Sequence, residues 1–342
     1  MFEAVLTLCM SLAGAPCRDQ LLPGYEAPTQ AACLEALQAH PPELAAQTGD
    51  PTCQPTGPVL HFDEVAPGVF VHMGEIAEPD DANLGDVANI GFIIGADSVA
   101  VIDTGSARWI GEGIWRAIRS RTDKPISHVI LTHMHPDHVL GASPLVQGGA
   151  LAVGHVNLNR ALADRQANYL ESLEQLIGAG SFLGTEAVQI AQTVSQTAEI
   201  DLGGRVLDLR AWPMAHTGND LTVLDRDSGI LFTGDLVFHR HTPALDGALL
   251  GWQAVLDEMI ALGASRIVPG HGGPILPWPV SASDMQRYLK TLESDTRAAI
   301  ASGERLGEAI THIADSEAKQ WQLFDAYNPR NATVAFTELE WE

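Results

Sequence analysis

Beyond residue 53, this chain of 342 residues contains no cysteine. No thiolate is available there to demand a soft metal, so a metal site in that stretch is built from imidazole and carboxylate. Basic residues are scarce as well, with 19 Lys and Arg against 43 Asp and Glu and a formal net charge of −24. That balance argues against a nucleic-acid partner, because a phosphate backbone needs clustered cations to release its counterions. It also disfavours strongly anionic substrates, unless a local basic patch overrides it. No apolar run approaches the roughly 18 residues that a membrane helix needs, so no membrane span is expected. A P-loop, a Gly-x-Gly-x-x-Gly turn and a Gly-x-Ser-x-Gly elbow are all missing, and no internal repeat stands out.

What is present fits a globular protein, with 46% hydrophobic residues and a mean hydropathy of +0.05. Cys9, Cys17, Cys33 and Cys53 crowd into the N-terminal segment. Such segregation suggests two disulfides, with all three pairings open, and an oxidising compartment, so a periplasmic or exported location is expected. A secretory leader over residues 5–15 competes with this reading, as do unpaired or metal-binding thiols. Against the leader, no Lys or Arg precedes the apolar run, and Glu3 has the wrong charge. Residues 1–57 therefore read as a cysteine-rich appendage, with a strand over 2–10 and a helix over 29–39 whose N-cap is Thr29. Pro51, Pro55 and Pro58 mark a linker, and residues 58–342 read as the catalytic domain.

The rest of the chain is organised around Val129-Ile130-Leu131-Thr132-His133-Met134-His135-Pro136-Asp137-His138. Its apolar start reads as a buried strand that must end at Pro136, gathering the polar side chains at the strand's C-terminal end. In an extended segment His133 and His135 point the same way, while the turn at Pro136 redirects Asp137 and His138 towards a second centre. Two neighbouring metal positions follow. The ligands suit zinc, and less often iron or manganese.

His-x-His-x-Asp-His after a strand ending in Thr132 resembles the signature of the metallo-β-lactamase superfamily, whose members are mostly two-metal hydrolases. Later positions match the same pattern: His216 in Ala-His-Thr-Gly-Asn-Asp, Asp235 in Phe-Thr-Gly-Asp, and His271 in Val-Pro-Gly-His-Gly. The resemblance implies an α/β (α+β) fold, a four-layer αββα sandwich with the metals at one edge between two sheets. It implies two Zn2+ per chain, one held by His133, His135 and His216, the other by Asp137, His138 and His271, with Asp235 bridging. Two adjacent cations bring a shared water near its pKa at neutral pH, so the implied nucleophile is a metal-bridging hydroxide that Asp137 helps to orient. The implied substrate is a small acyl compound, an ester, thioester or lactone. True β-lactamases of the superfamily usually carry Cys or Ser where this chain has Asp235, which disfavours antibiotic hydrolysis. The stretch 17–27 looks most like the zinc metallohydrolases that accompany quinoprotein relay systems, implying partners in such a system. Two alternatives stay open: a mono-iron persulfide dioxygenase of the same fold, and a non-catalytic periplasmic accessory protein.

Pattern reading places strands at 69–71, 90–94, 99–102, 151–153, 206–209, 221–224, 230–232 and 266–268. Helices are expected at 107–121, 158–177, 251–262, 283–301, 304–314 and 316–326, with an edge strand at 333–336. Asp103 has two readings, as the cap of the next helix or, by the resemblance, as a support for the metal ligands. The acidic stretch 75–86 is either a solvated loop or an overhang of the site. His239 and His241 are candidates for the substrate mouth, whereas His128, His155 and His312 read as structural or surface residues. Arg287 and Lys290 fall where thioesterases of the superfamily bind glutathione carboxylates, or are ordinary helix-surface charge.

Overall fold

The structure, a computed structural model, describes residues 1–10, 16–42 and 49–341. Its centre is set by period-two alternation in strands that are buried on both faces. Along Val99–Ile102, Val99 and Val101 pack against helices, whereas Ala100 and Ile102 meet a second sheet. In Ile126–Leu131, Val129 and Leu131 take the first direction and Ile130 the second. Successive strand side chains point to opposite faces, so one apolar run feeds two cores.

A seven-stranded sheet runs Gln192–Val194, Leu151–His155, Ile126–Leu131, Val99–Ile102, Ile90–Ile94, Val69–His72, Asp63–Ala66. A six-stranded sheet runs Thr197–Asp201, Val206–Ala211, Leu221–Asp225, Ile230–Phe232, Arg266–Val268, Leu276–Pro277. Their inner faces share a core that joins Val71, Ile93 and Ile130 to Leu209, Val223 and Phe232. Helices Arg108–Arg119 and Leu158–Ile177 cover the outside of the first sheet. Helices Leu249–Ile260, Ala282–Ser302 and Phe324–Leu339 cover the second. This is the four-layer αββα sandwich. Each large aliphatic side chain taken fully from water contributes roughly 1.5–3 kcal/mol, so three such cores hold the layers together. Val99–Ile102, Ile126–Leu131 and Leu151–His155 are parallel, as are Ile230–Phe232 and Arg266–Val268. The loops leaving the C-terminal ends of Val99–Ile102, Ile126–Leu131, Ile230–Phe232 and Arg266–Val268 carry Asp103, the His133–His138 stretch, Asp235 and His271, whereas His216 follows the antiparallel strand Val206–Ala211.

Ahead of the sandwich, Phe2–Cys9 is the middle strand of a three-stranded antiparallel sheet, between Cys17–Ala27 and Thr52–Pro55. Helix Gln30–Ala39 starts at Thr29, whose hydroxyl accepts a hydrogen bond from the Ala32 N–H at 3.2 Å, as the capping pattern predicts. Disulfides join Cys9 to Cys17 and Cys33 to Cys53. Residues 5–9 of the competing leader reading lie in the middle strand, and residues 11–15 lie outside the described residues. Buried ion pairs attach this sheet to the helix Arg108–Arg119. The fully buried Glu3 carboxylate accepts from Arg116 and from the Gly57 N–H. Glu112 accepts from Arg18, Arg108 and the Leu21 N–H.

The C-terminal region departs from the sequence pattern. Residues 333–336 lie inside the helix Phe324–Leu339 rather than in an edge strand. Asn328, Asn331, Ala332, Ala335, Phe336 and Leu339 are buried at helical spacing, so tertiary burial overrides the β preference of Thr333 and Val334. The expected helices 304–314 and 316–326 contract to Leu306–Ala309 and the 3-10 turn Asp315–Glu317. Strands Cys17–Ala27, Thr52–Pro55, Gln192–Val194 and Thr197–Asp201 are not signalled by the sequence. They are short or lie at sheet edges, and the first contains Pro23 and Gly24.

Candidate metal centre

After Leu131 the chain turns into a buried loop held from below by one carboxylate. Asp103 takes hydrogen bonds from the Thr132 N–H and hydroxyl, both at 2.8 Å, and from His138 Nδ1 at 2.8 Å. It does so from a left-handed backbone conformation, φ 57°, which costs free energy in a non-glycine residue. The following helix begins after Ala107 with no side-chain cap. Of the two readings of Asp103, the supporting one is therefore what its contacts display.

The other imidazoles are oriented in the same way, by one ring nitrogen each. Thr132 Oγ1, already donating to Asp103, lies 3.1 Å from His133 Nδ1 and must accept from it. His271 Nδ1 donates to the Val87 carbonyl at 2.9 Å, His216 Nδ1 to the Ala244 carbonyl, and His135 Nε2 to Asp246 Oδ2 at 3.3 Å. These partners place the protons outward and leave the remaining nitrogens as lone pairs facing inward. His133 Nε2 and His216 Nε2 then lie 3.1 and 3.0 Å from His135 Nδ1, and His138 Nε2 lies 3.4 Å from His271 Nε2. Lone pairs facing one another at these distances repel, and a cation between them removes the repulsion.

Carboxylates complete the arrangement. Asp235 Oδ1 is 3.2 Å from His138 Nε2, and its Oδ2 lies 3.5–3.6 Å from His133, His216 and His271. Asp235 Oδ1 is buried without a properly directed hydrogen bond, an orphaned acceptor of the kind a metal satisfies. Asp137 Oδ2 sits 3.3 Å from His271 Nε2. Two groups result, His133, His135, His216 and Asp235 in one, and Asp137, His138 and His271 in the other, with the donor atoms of each within 4.8 Å of one another. All seven sequence-derived candidates are thus brought together, and the donor chemistry fits two cations. The electrostatics agree. Burial opposes charge on His271, yet Asp235 and Asp137 push it up to about 10. Burial, aided by the His135 and His138 rings, drives His216 down to about 3 despite the nearby Asp235. Burial likewise opposes charge on Asp235, but the His271 and His138 rings hold it well below the usual carboxylate range. Carboxylates packed this closely call for positive charge, which a metal supplies as well as a proton.

Two glycines make room for this geometry. A Cβ on Gly270 would lie 1.9 Å from Asp235 Oδ1, and one on Gly234, at φ 50°, would lie 2.6 Å from Thr132 Oγ1. Asn89 pins the third loop by donating to the Pro269 and Gly272 carbonyls on either side of His271.

The centre opens on a cavity of about 440 Å3. Ala77 and Pro79 from the acidic stretch 75–86, with Val87 just after it, form one wall, so the overhang reading of that loop describes its position. Helix Leu158–Ile177 contributes Arg165, Tyr169, Leu173 and Leu176, and helix Phe324–Leu339 contributes Tyr327, Arg330 and Val334. Of the two mouth candidates, His241 lines the cavity, its ring 4.8 Å from those of His271 and Tyr327, whereas His239 does not reach it. Arg287 is bound to Glu317 and Asp284 and does not reach the cavity, and neither does Lys290. His128, His155 and His312 also lie away from it. Asp246, Arg165, Tyr169, Tyr327 and Arg330 escaped the sequence reading. No motif marks them, because what unites them is a cavity between distant helices.

The family model described as "Metallo-beta-lactamase superfamily" matches residues 84–271. "Beta-lactamase-like protein 2 homolog" of Caenorhabditis elegans is 24% identical over 169 residues, 49% of this chain and 50% of that protein. This chain therefore spans half the length of that relative. "Acyl-coenzyme A thioesterase MBLAC2" of Bos taurus is 28% identical over 217 residues, 55% of this chain and 74% of the relative. Among solved structures, the metallo-beta-lactamase from Pontibacter korlensis superposes with a TM-score of 0.55 at 19% identity, over 68% of this chain and 99% of that one.

Proposed function

This chain belongs to the metallo-beta-lactamase superfamily, and from that membership we propose that it is a dinuclear zinc hydrolase of small acyl compounds, thioesters before esters and lactones. One observation carries the reading: two imidazole–carboxylate groups share the orphaned Asp235 and open together on a largely apolar cavity. The thioesterase name of the bovine relative supports the choice of thioesters.

In this proposal His133, His135 and His216 would hold one cation, Asp137, His138 and His271 the other, and Asp235, within reach of both groups, would be shared between them. Bound there, the two cations would supply Lewis acidity towards a water and an acyl oxygen. Asp137, which lines the cavity, orients the attacking water and takes up its proton at the carboxylate, then returns a proton to the departing thiol or alcohol. Leu173, Leu176, Phe238 and Val334 keep bulk water from the hydrocarbon part of the substrate. The negative charge of Asp235, reaching both groups, would lower the Lewis acidity of cations held there and so favour intrinsically labile acyl bonds over amides and penicillins. The two disulfides fit an oxidising compartment, and we place the protein in the periplasm beside a quinoprotein system, on the resemblance of residues 17–27.

Elemental analysis of protein purified without added metal, paired with turnover of matched thioesters, esters, lactones and amides, tests the reading. Two zinc equivalents, with thioester turnover abolished by chelation and restored by zinc, are expected. One iron with oxygen uptake on persulfides would replace the hydrolase by a dioxygenase. Full metal loading without turnover of any acyl compound would leave an accessory protein.

A further inference from the structure

The cavity contains two cationic side chains, although the chain has only 19 Lys and Arg against 43 acids. Arg165 stands on the helix Leu158–Ile177 and Arg330 on the helix Phe324–Leu339. The acidic residues lining the cavity do not account for both. Asp137 and Asp235 are held among imidazoles. Asp246 is taken by a two-pronged contact from Arg165, at 2.7 and 3.3 Å, and by His135. Arg330 is left over. It is exposed, its guanidinium lies 5.9 Å from the centre of the Tyr327 ring, and among the described residues it pairs with no carboxylate. On the other helix the buried Tyr169 hydroxyl sits beside Arg165 without an aligned hydrogen bond, a donor with nothing to receive it. The remaining wall is hydrocarbon, including Leu176 and Val334.

A guanidinium with no carboxylate partner at the edge of an apolar cavity is free to hold an anion. Its planar fork matches carboxylate, sulfate and phosphate oxygens. In a molecule of charge −24, such a local cation is also what lets an anionic ligand approach against the overall field. We propose that Arg330, with the Tyr169 hydroxyl on the wall of the same cavity, forms an anion subsite. Resting on the acyl hydrolase reading, the substrates are then amphiphilic acyl compounds with a hydrocarbon stretch and a fixed negative charge away from the bond that breaks.

Calorimetric binding of octane-1-sulfonate and octan-1-ol to the full, metal-loaded chain separates charge from hydrocarbon, the sulfonate being a weak metal ligand. The sulfonate should bind about tenfold more tightly or better, and Arg330→Gln should weaken it about tenfold, with Arg330→Lys in between. Octanol affinity should change less than about twofold in these variants, and added salt should weaken the sulfonate alone. Thermal melting of each variant checks that the fold is intact. Equal binding of the two probes, no binding of either, or sulfonate affinity unchanged in Arg330→Gln overturns the subsite. Because the readout is binding, a protein that bound the sulfonate through Arg330 yet hydrolysed no acyl compound would overturn the proposed function alone.

Discussion

Asp235 and Asp103 divide two tasks that a metal centre requires. Asp235 reaches both imidazole groups and has one buried oxygen without a directed hydrogen bond. Asp235→Ala should therefore lower bound metal from about two equivalents to one or fewer, measured by elemental analysis after dialysis. Two equivalents retained would end its assignment as the bridge. Asp103 does not line the cavity at the centre; it fixes the ring of His138 and the amide of Thr132. A carboxylate that orients a ligating imidazole typically matters about 10–100-fold in metal affinity. Asp103→Asn should show a loss of that order in chelator competition, with the loss confined to one of two binding steps. Gly270 explains why such side chains can approach at all, since any Cβ there would occupy the space of Asp235 Oδ1.

At the scale of elements, each wall of the cavity is tied down away from the chemistry. Asn331 donates to the Pro243 carbonyl and accepts from the Leu245 N–H, so the C-terminal helix fixes the segment that accepts from His216 through Ala244. Glu338 accepts from the Leu249 and Leu250 N–H groups, supplying the N-terminus of the next helix with a carboxylate. The overhanging loop is anchored by His72, which donates to the His61 carbonyl and to Asp86 at 2.7 Å. Burial disfavours the charged ring, but the Asp86 contact outweighs it and His72 titrates above its ordinary 6.5. A raised folded pKa means that the stabilisation is complete below about pH 6.5 and fades as pH rises through the folded value. The Tm gap between wild type and His72→Gln should accordingly narrow as pH increases across that window. A gap that widens with pH would reverse the assignment.

Across the whole molecule, the cysteine-rich sheet is joined to the sandwich by charge as well as by packing. Glu3 is fully buried and Arg116 nearly so. Removing one partner of a buried pair strands the other, at a cost of about 3–5 kcal/mol. Glu3→Gln should lose stability on that scale in urea titration, and a loss below about 1 kcal/mol would mean that water reaches Arg116. The disulfides are checked separately. Non-reducing mass spectrometry should find four hydrogens missing, with Cys9 linked to Cys17 and Cys33 to Cys53. Four free thiols in unfolded, oxidatively expressed protein would contradict this. Chain-entropy arguments put each bridge at about 3 kcal/mol, so reduction should lower hydrogen-exchange protection first in residues 1–57, which we propose as a separate unit.

The sequence by itself determined the layered fold and the seven clustered side chains. The apolar runs around 99–102 and 126–131 read as buried strands, the resemblance to the superfamily implied their four-layer arrangement, and few residue types hold a metal, so short motifs disclose His133, His135, Asp137 and His138. Helix 158–177 was legible because its leucines repeat at helical spacing. Tertiary structure alone decided the rest. Four cysteines admit three pairings, and only strand register and helix docking choose one. Thr333 and Val334 favour a strand locally, but burial of Asn331, Ala335 and Phe336 on one face makes a helix. Asp246, Arg165, Tyr169, Tyr327 and Arg330 line the cavity from widely separated elements, and tertiary contact alone chose between the two readings of Asp103. Local propensity reaches only a few residues along the chain, whereas a cavity is defined by contacts between segments that the sequence keeps far apart.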